Sequence, residues 1–304
     1  GSEMCIRDRD NSRIQRHINA AVPYNVWQYY LSTKDMEFMS NYGAEIIFNT
    51  ALFWSDIVTY NKGRDKYEIK GVMGPDEYHT GYPGSEIPGL HNNAYTNFMA
   101  AWVINRAVDL LGLFDKKLLN EMAEKVGFTE TDTELWEKIP GKMFIPFLDN
   151  KIILQFEGFD KLKELDWSKY RKKYGDSMRL DRILEKENDS VNNYRACKQP
   201  DVLMLFYLFS SDELIRMFRQ MDYDFKPGYI RKNIDYYNKI TSHGSTLSQV
   251  VFSWVYSRSN RRGSWNRFKK ALVSDFDDVQ GGTTKEGIHL GAMAGTIDPV
   301  SYTN

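Results

Sequence analysis

Residues 35–59 carry apolar side chains at the spacing of an amphipathic α-helix. Met39, Tyr42, Ile46 and Ile57 share one face there, because residues three or four positions apart are neighbours on a helix. The same period recurs along most of the chain and predicts further helices over 19–31, 93–111, 115–126, 131–138, 200–209, 211–221, 245–258, 263–273 and 287–294. A chain with this pattern is mainly α-helical.

Local signals mark several helix boundaries. Asn92 or Asn93 is predicted to cap the helix over 93–111, because a side-chain oxygen at that position satisfies a free backbone N–H. Gly112 is predicted to end the same helix. Pro23 is expected near the start of the first helix, where its missing N–H group costs least.

Two stretches break the helical period. Tyr60–Leu90 is punctuated by glycine and proline, and a loop this long in a compact chain is more often functional than not. In residues 142–157 two apolar, β-prone runs flank Asp149-Asn150, which predicts a small hairpin. Paired helices, long loops and a single hairpin favour an α/α toroid. A regular helical solenoid is disfavoured because the sequence has no fixed repeat period.

The composition excludes several classes of protein. The 40 basic and 41 acidic side chains give a net charge of −1, so no nucleic-acid partner is indicated. No apolar run approaches the ~18 residues of a membrane span and no signal peptide is visible, so no membrane association is expected. The two cysteines fit neither a disulfide framework nor a zinc site, which is typical of a reducing cytosol, so a cytoplasmic location is expected. The five histidines show no metal-ligand spacing, so no metal is predicted.

The first ten residues differ from the rest of the chain. Gly1-Ser2 is typical of a tag, and residues 3–10 show neither a helical nor a strand period. Residues 1–10 are therefore interpreted as a tag or non-native leader. The native sequence is expected over residues 11–304, and both of its ends read as cuts in a longer protein.

The segment Gly74–His79, inside the long loop, is the first candidate for chemistry. Its sequence GPDEYH places two acids, a phenol and an imidazole directly after a Gly-Pro turn. Breaking a glycosidic bond requires an acid that protonates the leaving oxygen. That acid must be protonated near neutral pH, which burial or a neighbouring negative charge favours. Asp76, beside Glu77, is a candidate for that charge.

Three further segments are suited to binding sugars or anions. Lys198-Gln199 precede a predicted helix and can hold sugar hydroxyls through ammonium and amide hydrogen bonds. The segment 241–248 offers hydroxyls and backbone N–H groups at a helix N-terminus, which suits an anion. The glycine-rich segment 281–289 ends on His289, a candidate donor to phosphate. Taken alone, each segment is more typical of a polar loop or a helix cap.

Seven segments occur together in an order that resembles one family. The sequence is similar to the inverting α-glucoside phosphorylases of the maltose, trehalose and kojibiose phosphorylase type, glycoside hydrolase family 65. The resemblance extends from about Ser12 to Val300 and is carried by RHINAAVPYNVWQYY, GAEIIFNTALFW, GVMGPDEYH, NNAYTNFMAAW, KQPDVLMLFYL, TSHGSTLSQ and TTKEGIHLGAMAGT. Any one segment is weak support, whereas seven in the same order are strong support.

The resemblance implies a partial (α/α)6 toroid of the six-hairpin glycosidase type, mainly α with a small β-hairpin. Residues 11–304 would form the C-terminal portion of this catalytic domain. The N-terminal β-sandwich, the opening helices and the C-terminal β domain of family members would be absent. The resemblance also implies inorganic phosphate as a co-substrate, no cofactor, and a homodimer as the candidate assembly.

The resemblance also implies roles for individual residues. Glu77 would be the general acid that protonates the leaving sugar. Lys198 and Gln199 would contact the bound glucosyl unit. The residues implied for phosphate binding are His243, Ser245, Thr246 and His289.

The implied reaction is the phosphorolysis of an α-glucosyl disaccharide with inversion. Phosphate attacks the anomeric carbon while the acid protonates the leaving oxygen, giving β-glucose 1-phosphate and a free sugar or polyol acceptor. Phosphate is already an anion, whereas an inverting hydrolase needs a second carboxylate to activate water. The only acidic cluster nearby is interpreted as solvated and consists of Asp275, Asp277 and Asp278.

Two alternatives stay open at this stage. The first is an inverting α-glucoside hydrolase that resembles acid trehalase, in which water replaces phosphate. The second is an inactive fragment that binds a sugar without turning it over. An incomplete toroid would leave apolar helix faces uncovered, so the chain alone is expected to be inactive or poorly folded.

Overall fold

The computed structural model describes residues 8–277 and 287–298, and the chain divides into two compact units. The first unit is drawn from the segments Gly1–Pro75, Pro88–Pro146 and Arg216–Asp224. The second unit is drawn from Asp76–Ile87, Phe147–Ile215 and Phe225–Asn304. All candidate site residues named above therefore belong to the second unit.

The described residues are mainly α-helical, as the sequence predicts. The helices are α1 (Ile18–Thr33), α2 (Ala44–Ile57), α3 (Ala94–Leu113), α4 (Lys116–Val126), α5 (Glu130–Lys138), α6 (Trp167–Tyr174), α7 (Leu180–Lys186), α8 (Asp201–Leu208), α9 (Ser211–Gln220), α10 (Pro227–Ile240), α11 (Thr246–Ser257), α12 (Arg261–Leu272) and α13 (Leu290–Gly295). Short 3-10 helices cover Asp8–Ile14, Pro140–Lys142, Phe159–Lys161 and Val191–Asn193.

The helix predicted over 35–59 is present but has a wider turn near its start. A short α-helical turn, Met36–Phe38, leads through a π-helical segment, Met39–Gly43, into α2. A Cβ atom on Gly43 would lie 2.7 Å from the sulfur of Met39. The glycine therefore makes room for the Met39 side chain where the helix widens.

Residues 8–277 and 287–298 contain two antiparallel hairpins, so the prediction of a single hairpin is wrong. The predicted one pairs β3 (Phe147–Leu148) with β4 (Ile152–Ile153) around Asp149-Asn150, both of which have positive φ angles. The second pairs β1 (Thr59–Asn61) with β2 (Lys66–Glu68), inside the stretch predicted to be loop. Its strands are only three residues long, too short to show alternation in the sequence.

Some helix boundaries also differ from the predictions. Asn93 caps α3 as predicted, but Gly112 lies inside that helix, which ends at Leu113 and leaves through an extended Phe114. Pro23 is the sixth residue of α1 rather than near its start. Sequence periodicity missed three helices, namely α6, α7 and α10. The last of them begins with a proline, a signal that favours a helix start.

The first unit is organised around α3, whose residues from Ala94 to Ile104 are all buried. A helix that is buried on every side belongs at the centre of a core. Helix α2 packs against α3. The rings of Phe48 on α2 and Trp136 on α5 stack with their centroids 5.7 Å apart, and this contact joins α5 to the same core.

The second unit is organised around α8 and α11, which pack against each other. Helix α11 buries Val250, Val251 and Phe252, and it also contacts α12 and α13. Helix α8 begins just after residues 198–199, and α11 begins just after residues 243–245. The core of this unit therefore fixes the C-terminal ends of these two candidate segments.

Within residues 8–277 and 287–298, no helix combines the length and apolar character that a membrane crossing requires. The same residues contain no group of three or more histidine, cysteine, aspartate or glutamate side chains placed to hold a metal ion.

We predict that the Asn93→Ala variant destabilises the first unit. The Asn93 side chain accepts from the backbone N–H of Thr96 at 2.9 Å and from its hydroxyl at 2.8 Å, and it is 1% exposed. Losing this cap and leaving buried donors unpaired should cost about 2 kcal/mol. The apparent melting temperature should fall, and hydrogen exchange should accelerate in the first turn of α3. Asn93→Ser, which keeps a capping oxygen, is the matched control, and equal losses in both variants would contradict the capping role.

Candidate active site

Two side chains of the GPDEYH segment tie it into the second unit. The Tyr78 hydroxyl accepts from the backbone N–H of Leu180 at 3.0 Å and hydrogen-bonds the Ser242 hydroxyl at 2.7 Å. Burial raises the pKa of Tyr78, so the phenol is neutral at physiological pH. The Nε2 atom of His79 lies 2.9 Å from the carbonyl oxygen of Tyr194.

His79 is a buried, neutral imidazole. Its ring contacts those of Phe156 and Phe159 edge-on, with centroids 5.1 and 5.7 Å away. Burial lowers its pKa to about 4, so the ring is uncharged at neutral pH. The carbonyl of Tyr194 can only accept, so Nε2 carries the proton and donates it. His79 therefore holds the segment in place.

Asp76 is the third inward-pointing residue of the segment and is 2% exposed. Its Oδ1 atom accepts from the backbone N–H groups of Lys198 at 2.6 Å and Gln199 at 2.9 Å. Its Oδ2 atom accepts from the side-chain amide of Gln155 at 2.6 Å. Burial raises the pKa of Asp76 to about 7, although these three hydrogen bonds favour the ionised form.

Glu77 points away from the core, between these inward-pointing neighbours. Its backbone φ angle is +67°, a left-handed conformation that is uncommon for a residue with a long side chain. Its Oε2 atom lies 3.0 Å from the ammonium nitrogen of Lys198. The Glu77 side chain is 49% exposed and that of Lys198 is 18% exposed. A strained backbone at a single acid is a feature often found at active sites.

Two expectations about the surroundings of Glu77 are not met. The described residues do not bury its side chain, which is half exposed. The Asp76 carboxylate does not face Glu77, because all three of its hydrogen bonds go to Gln155 and to the backbone of the 198–199 segment. Adjacent residues on an extended or left-handed backbone point in different directions, and here the two acids do.

The backbone connects the segment around Lys198 to the segment around His243. The N–H of Cys197 donates to the carbonyl of Ile240 at 2.9 Å, and the N–H of Ser242 donates to the carbonyl of Cys197 at 2.8 Å. Gly244 allows a close approach, since a Cβ atom there would lie 2.9 Å from the Tyr78 hydroxyl. The structure thus brings three of the four candidate segments together.

His243 lies in this arrangement as a buried side chain. It has a φ angle of +50°, is 3% exposed, and its Nδ1 atom is 2.8 Å from the Ser248 hydroxyl. Burial lowers its pKa well below the usual value, and the positive charges of Arg267 and Lys270 lower it further. The imidazole is therefore neutral at physiological pH.

The N-terminus of α11 follows His243 directly. Ser245 is the N-cap, and its hydroxyl oxygen accepts from the N–H of Leu247 at 3.3 Å. Thr246 is buried at the first helical position. Hydroxyls and backbone N–H groups converge at this helix start, an arrangement that can hold an anion.

The fourth candidate segment is only partly described. Residues 281–286 lie outside the described residues. Both the backbone N–H and the Nδ1 atom of His289 bond to the carboxylate of Asp275, at 2.8 and 2.6 Å. Among the hydrogen bonds of the described part, none joins His289 to the segment 243–246. The interpretation of Asp275 as solvated is wrong, since this side chain is 12% exposed, whereas Asp277 is exposed as expected. Asp278 lies outside the described residues.

Sequence reasoning missed the structural roles of Gln155 and Ser242. Gln155 is 2% exposed and bonds to Asp76, and its carbonyl oxygen also accepts from the thiol of Cys197 at 3.2 Å. The sequence does indicate a structural role for Gln155, because it is the single polar residue inside the apolar run IILQF. A buried amide must find hydrogen-bond partners, so such a residue marks a polar network in the core.

Comparison with known proteins identifies the family of the chain. The profile of the glycosyl hydrolase family 65 central catalytic domain matches residues 4–298.

The chain belongs to glycosyl hydrolase family 65.

Several relatives carry the same region within family 65. An uncharacterised glycosyl hydrolase of Mycobacterium tuberculosis is 50% identical over 95% of this chain and 22% of its own length. The trehalose 6-phosphate phosphorylase of Lactococcus lactis is 38% identical over 96% of this chain and 36% of its own length. The kojibiose phosphorylase of Halothermothrix orenii is 37% identical over 78% of this chain and 28% of its own length. The chain thus spans about a third or less of these relatives.

A solved structure supports the fold within family 65. A candidate kojibiose phosphorylase from the human microbiome matches 93% of this chain and 36% of its own chain, with a TM-score of 0.75 and 26% identity. Family 65 phosphorylases have the (α/α)6 toroid fold. The predicted fold class, a mainly α chain that forms part of such a toroid, is therefore confirmed.

We predict that replacing His79 with glutamine reduces the loss of stability in acid. Glutamine keeps a donor for the Tyr194 carbonyl but cannot titrate. The folded pKa of His79 is about 4 and the unfolded value is 6.5, so its neutral form stabilises the fold above pH 6.5 and this contribution is lost as the pH falls towards 4. The difference amounts to at most about 3 kcal/mol.

The measurement is the apparent melting temperature of wild type and His79→Gln between about pH 7.5 and about pH 4.5, a window that brackets most of this titration. Other titrating groups act equally in both proteins and cancel in the difference. Wild type should lose stability faster than the variant as the pH falls. Parallel curves would show that His79 does not titrate as a buried neutral group.

Proposed function

We propose that the protein containing this chain catalyses the phosphorolysis of an α-glucosyl disaccharide with inversion, giving β-glucose 1-phosphate and a free acceptor. The observation that carries the proposal is the outward-pointing Glu77, held 3.0 Å from Lys198 while its neighbours Asp76, Tyr78 and His79 are buried. Two of the relatives act, by their names, on trehalose 6-phosphate and kojibiose. These sugars are the candidate substrates.

Glu77 acts in this proposal as the general acid. A carboxyl that protonates a leaving oxygen must carry a proton when the bond breaks. In this structure a salt bridge holds the Oε2 atom of Glu77 3.0 Å from the ammonium of Lys198. The bound glucosyl unit therefore has to draw the ammonium of Lys198 to its own hydroxyls, while Gln199 beside it contributes amide hydrogen bonds. In this proposal the binding of the sugar itself releases Glu77 from its salt bridge, so that Glu77 can act as the acid.

Phosphate is proposed to bind at the start of α11. The hydroxyls of Ser245 and Thr246 and the N–H groups of the first turn supply donors, and His243 and His289 complete the proposed set. Holding phosphate beside the sugar lowers the entropic barrier of a reaction between two substrates. Phosphate needs no activation by a second carboxylate, which an inverting hydrolase would require for water. The reaction needs no further cofactor.

The chain is proposed to work as part of a longer enzyme. It covers only 22 to 36% of the relatives' own lengths. We assign residues 11–304 to the C-terminal portion of the catalytic domain and residues 1–10 to a tag or non-native leader. A cytoplasmic location and a homodimer belong to the same proposal. The activity is therefore tested in the full-length protein, and the isolated chain is expected to be inactive.

We predict phosphate-dependent release of β-glucose 1-phosphate from at least one of kojibiose, trehalose, trehalose 6-phosphate, maltose and nigerose. The Glu77→Gln variant cannot donate the proton and should lose between about 100- and about 10,000-fold in kcat. Glu121→Gln is the matched control, because the Glu121 side chain is similarly exposed, at 59%, and lies on α4 in the other unit. The control should keep wild-type activity.

The same assay without phosphate separates the alternatives. Free glucose released at an equal rate in the absence of phosphate would favour the hydrolase. A full-length protein that binds one of the sugars but turns none of them over would favour the inactive sugar-binding protein. Either result would contradict the proposed phosphorolysis.

We predict that Lys198→Met lowers kcat/KM for the disaccharide by about 10- to 100-fold, because a hydrogen bond from a charged donor is worth roughly 1.5–3 kcal/mol. Methionine keeps most of the length of the side chain without its charge. Steady-state kinetics with saturating phosphate measure the effect, and an unchanged melting temperature confirms folding. A change of less than about twofold would remove Lys198 from the proposed sugar site.

A further inference from the structure

Four groups form a buried hydrogen-bond network behind the Glu77–Lys198 pair, which we call the Asp76 network. Its members are the Asp76 carboxylate, the Gln155 side-chain amide and the backbone N–H groups of Lys198 and Gln199. The three bonds to Asp76 are 2.6, 2.6 and 2.9 Å long. The Asp76 and Gln155 residues are each only 2% exposed.

The direction of each bond in the Asp76 network is fixed by its partners. Backbone N–H groups can only donate, so the Oδ1 atom of Asp76 must accept twice. The carbonyl oxygen of Gln155 accepts from the Cys197 thiol at 3.2 Å and from the N–H of Asp201 at 3.4 Å. If the Gln155 amide were reversed, its NH₂ group would face the N–H of Asp201, donor against donor. The amide group of Gln155 therefore has to face Asp76.

The Asp76 network connects the two segments that carry Glu77 and Lys198. Asp76 precedes Glu77 directly, and it holds the backbone of Lys198 itself. The distance between the Glu77 carboxylate and the Lys198 ammonium therefore depends on a contact made on the buried side of both residues. An error of about 1 Å in such a position can cost about 100-fold in rate.

We propose that Asp76 is a positioning residue that sets the geometry of Glu77 and Lys198 through the backbone of residues 198–199, with Gln155 fixing the orientation of its carboxylate. This inference rests on the proposed function, in which Glu77 is the acid and Lys198 contacts the sugar. The inference depends on which group donates and which accepts in the Asp76 network, not on the charge of Asp76 alone. A single substitution at position 76 or 155 should therefore disturb the site, and the two substitutions together should restore its geometry.

The experiment compares three variants of the full-length protein. In Asp76→Asn, the new NH₂ group faces the NH₂ group of Gln155, so the polarity is broken. In Gln155→Glu, two buried carboxylates face each other. The third variant combines both substitutions and removes the conflict, because the amide at position 76 then donates to the carboxylate at position 155. That carboxylate still accepts from Cys197 and Asp201, and the carbonyl oxygen of the new amide accepts from the backbone of the 198–199 segment.

A control variant tests whether replacing an aspartate with asparagine has an effect of its own. Asp115 caps α4 by accepting from the backbone N–H of Leu118 at 2.9 Å, and it is exposed. Asparagine satisfies a helix cap as well as aspartate does. Asp115→Asn should therefore keep the wild-type kinetic constants.

Kinetic constants for both substrates give the first readout. Each single variant should lower kcat by about 100-fold and raise the KM for the disaccharide, while the KM for phosphate changes by less than about threefold. The double variant should regain at least about tenfold in kcat over Asp76→Asn. If Asp76 only stabilised the fold, its replacement would not raise the KM for one substrate while leaving the KM for the other unchanged. Unchanged kcat in Asp76→Asn, or a correctly folded double variant that regains nothing, would overturn the proposal.

Crystal structures give a readout that does not depend on catalysis. In Asp76→Asn the distance between the Glu77 Oε2 and Lys198 Nζ atoms should increase from 3.0 Å, and it should return in the double variant. An unchanged distance in the single variant would contradict the positioning role even if the enzyme proves to be a hydrolase. If Asp76→Asn does not fold, the double variant decides: wild-type geometry supports the proposal, and altered geometry contradicts it.

Wild-type turnover is measured first, because its result separates the two proposals. A wild type that does not perform phosphorolysis contradicts the proposed function, and the crystallographic distances still test the role of Asp76. A wild type that performs phosphorolysis, with an Asp76→Asn variant of equal activity, contradicts the positioning role alone.

Discussion

The buried carboxylate of Asp76 is the contact on which the arrangement of the candidate site depends. A carboxylate inside a protein is costly unless donors surround it, and here two backbone N–H groups and one amide do so. Those donors belong to distant parts of the sequence, so satisfying one buried carboxyl group brings three segments together. The same burial that raises the pKa of Asp76 to about 7 makes these bonds strong, because little water competes for them.

The exposure of Glu77 follows from the burial of its neighbours. Asp76, Tyr78 and His79 each have buried partners, and the left-handed backbone at Glu77 lets its side chain leave in another direction. The cost of that backbone conformation is offset by the contacts on either side, which is how strain persists in a folded protein. The segment is therefore held by the hydrogen bonds of these neighbours, and the Glu77 side chain stays half exposed.

How far the sequence predicts this site depends on the range of the interactions. The Asn93 cap, the hairpin at Asp149-Asn150 and the GPDEYH segment are local patterns, and each could be recognised before the structure was known. The pairing of Asp76 with Gln155 joins residues far apart in the sequence, and no local pattern specifies which buried amide meets which buried acid. The expectation that Asp76 charges the surroundings of Glu77 was wrong for the same reason, since neighbours in sequence need not share surroundings.

The electrostatics of the α11 N-terminus decide which groups there can stabilise an anion. His243 is buried and neutral at physiological pH, so it offers at most one N–H donor and no positive charge. If the Ser248 hydroxyl donates to Nδ1, a neutral ring carries its proton on Nε2 and can donate it. An anion bound here would be held mainly by hydroxyls and backbone N–H groups, whose dipoles keep a fixed orientation. These donors keep the same protonation state around neutrality, so a dependence of phosphate binding on pH there would reflect the titration of phosphate itself.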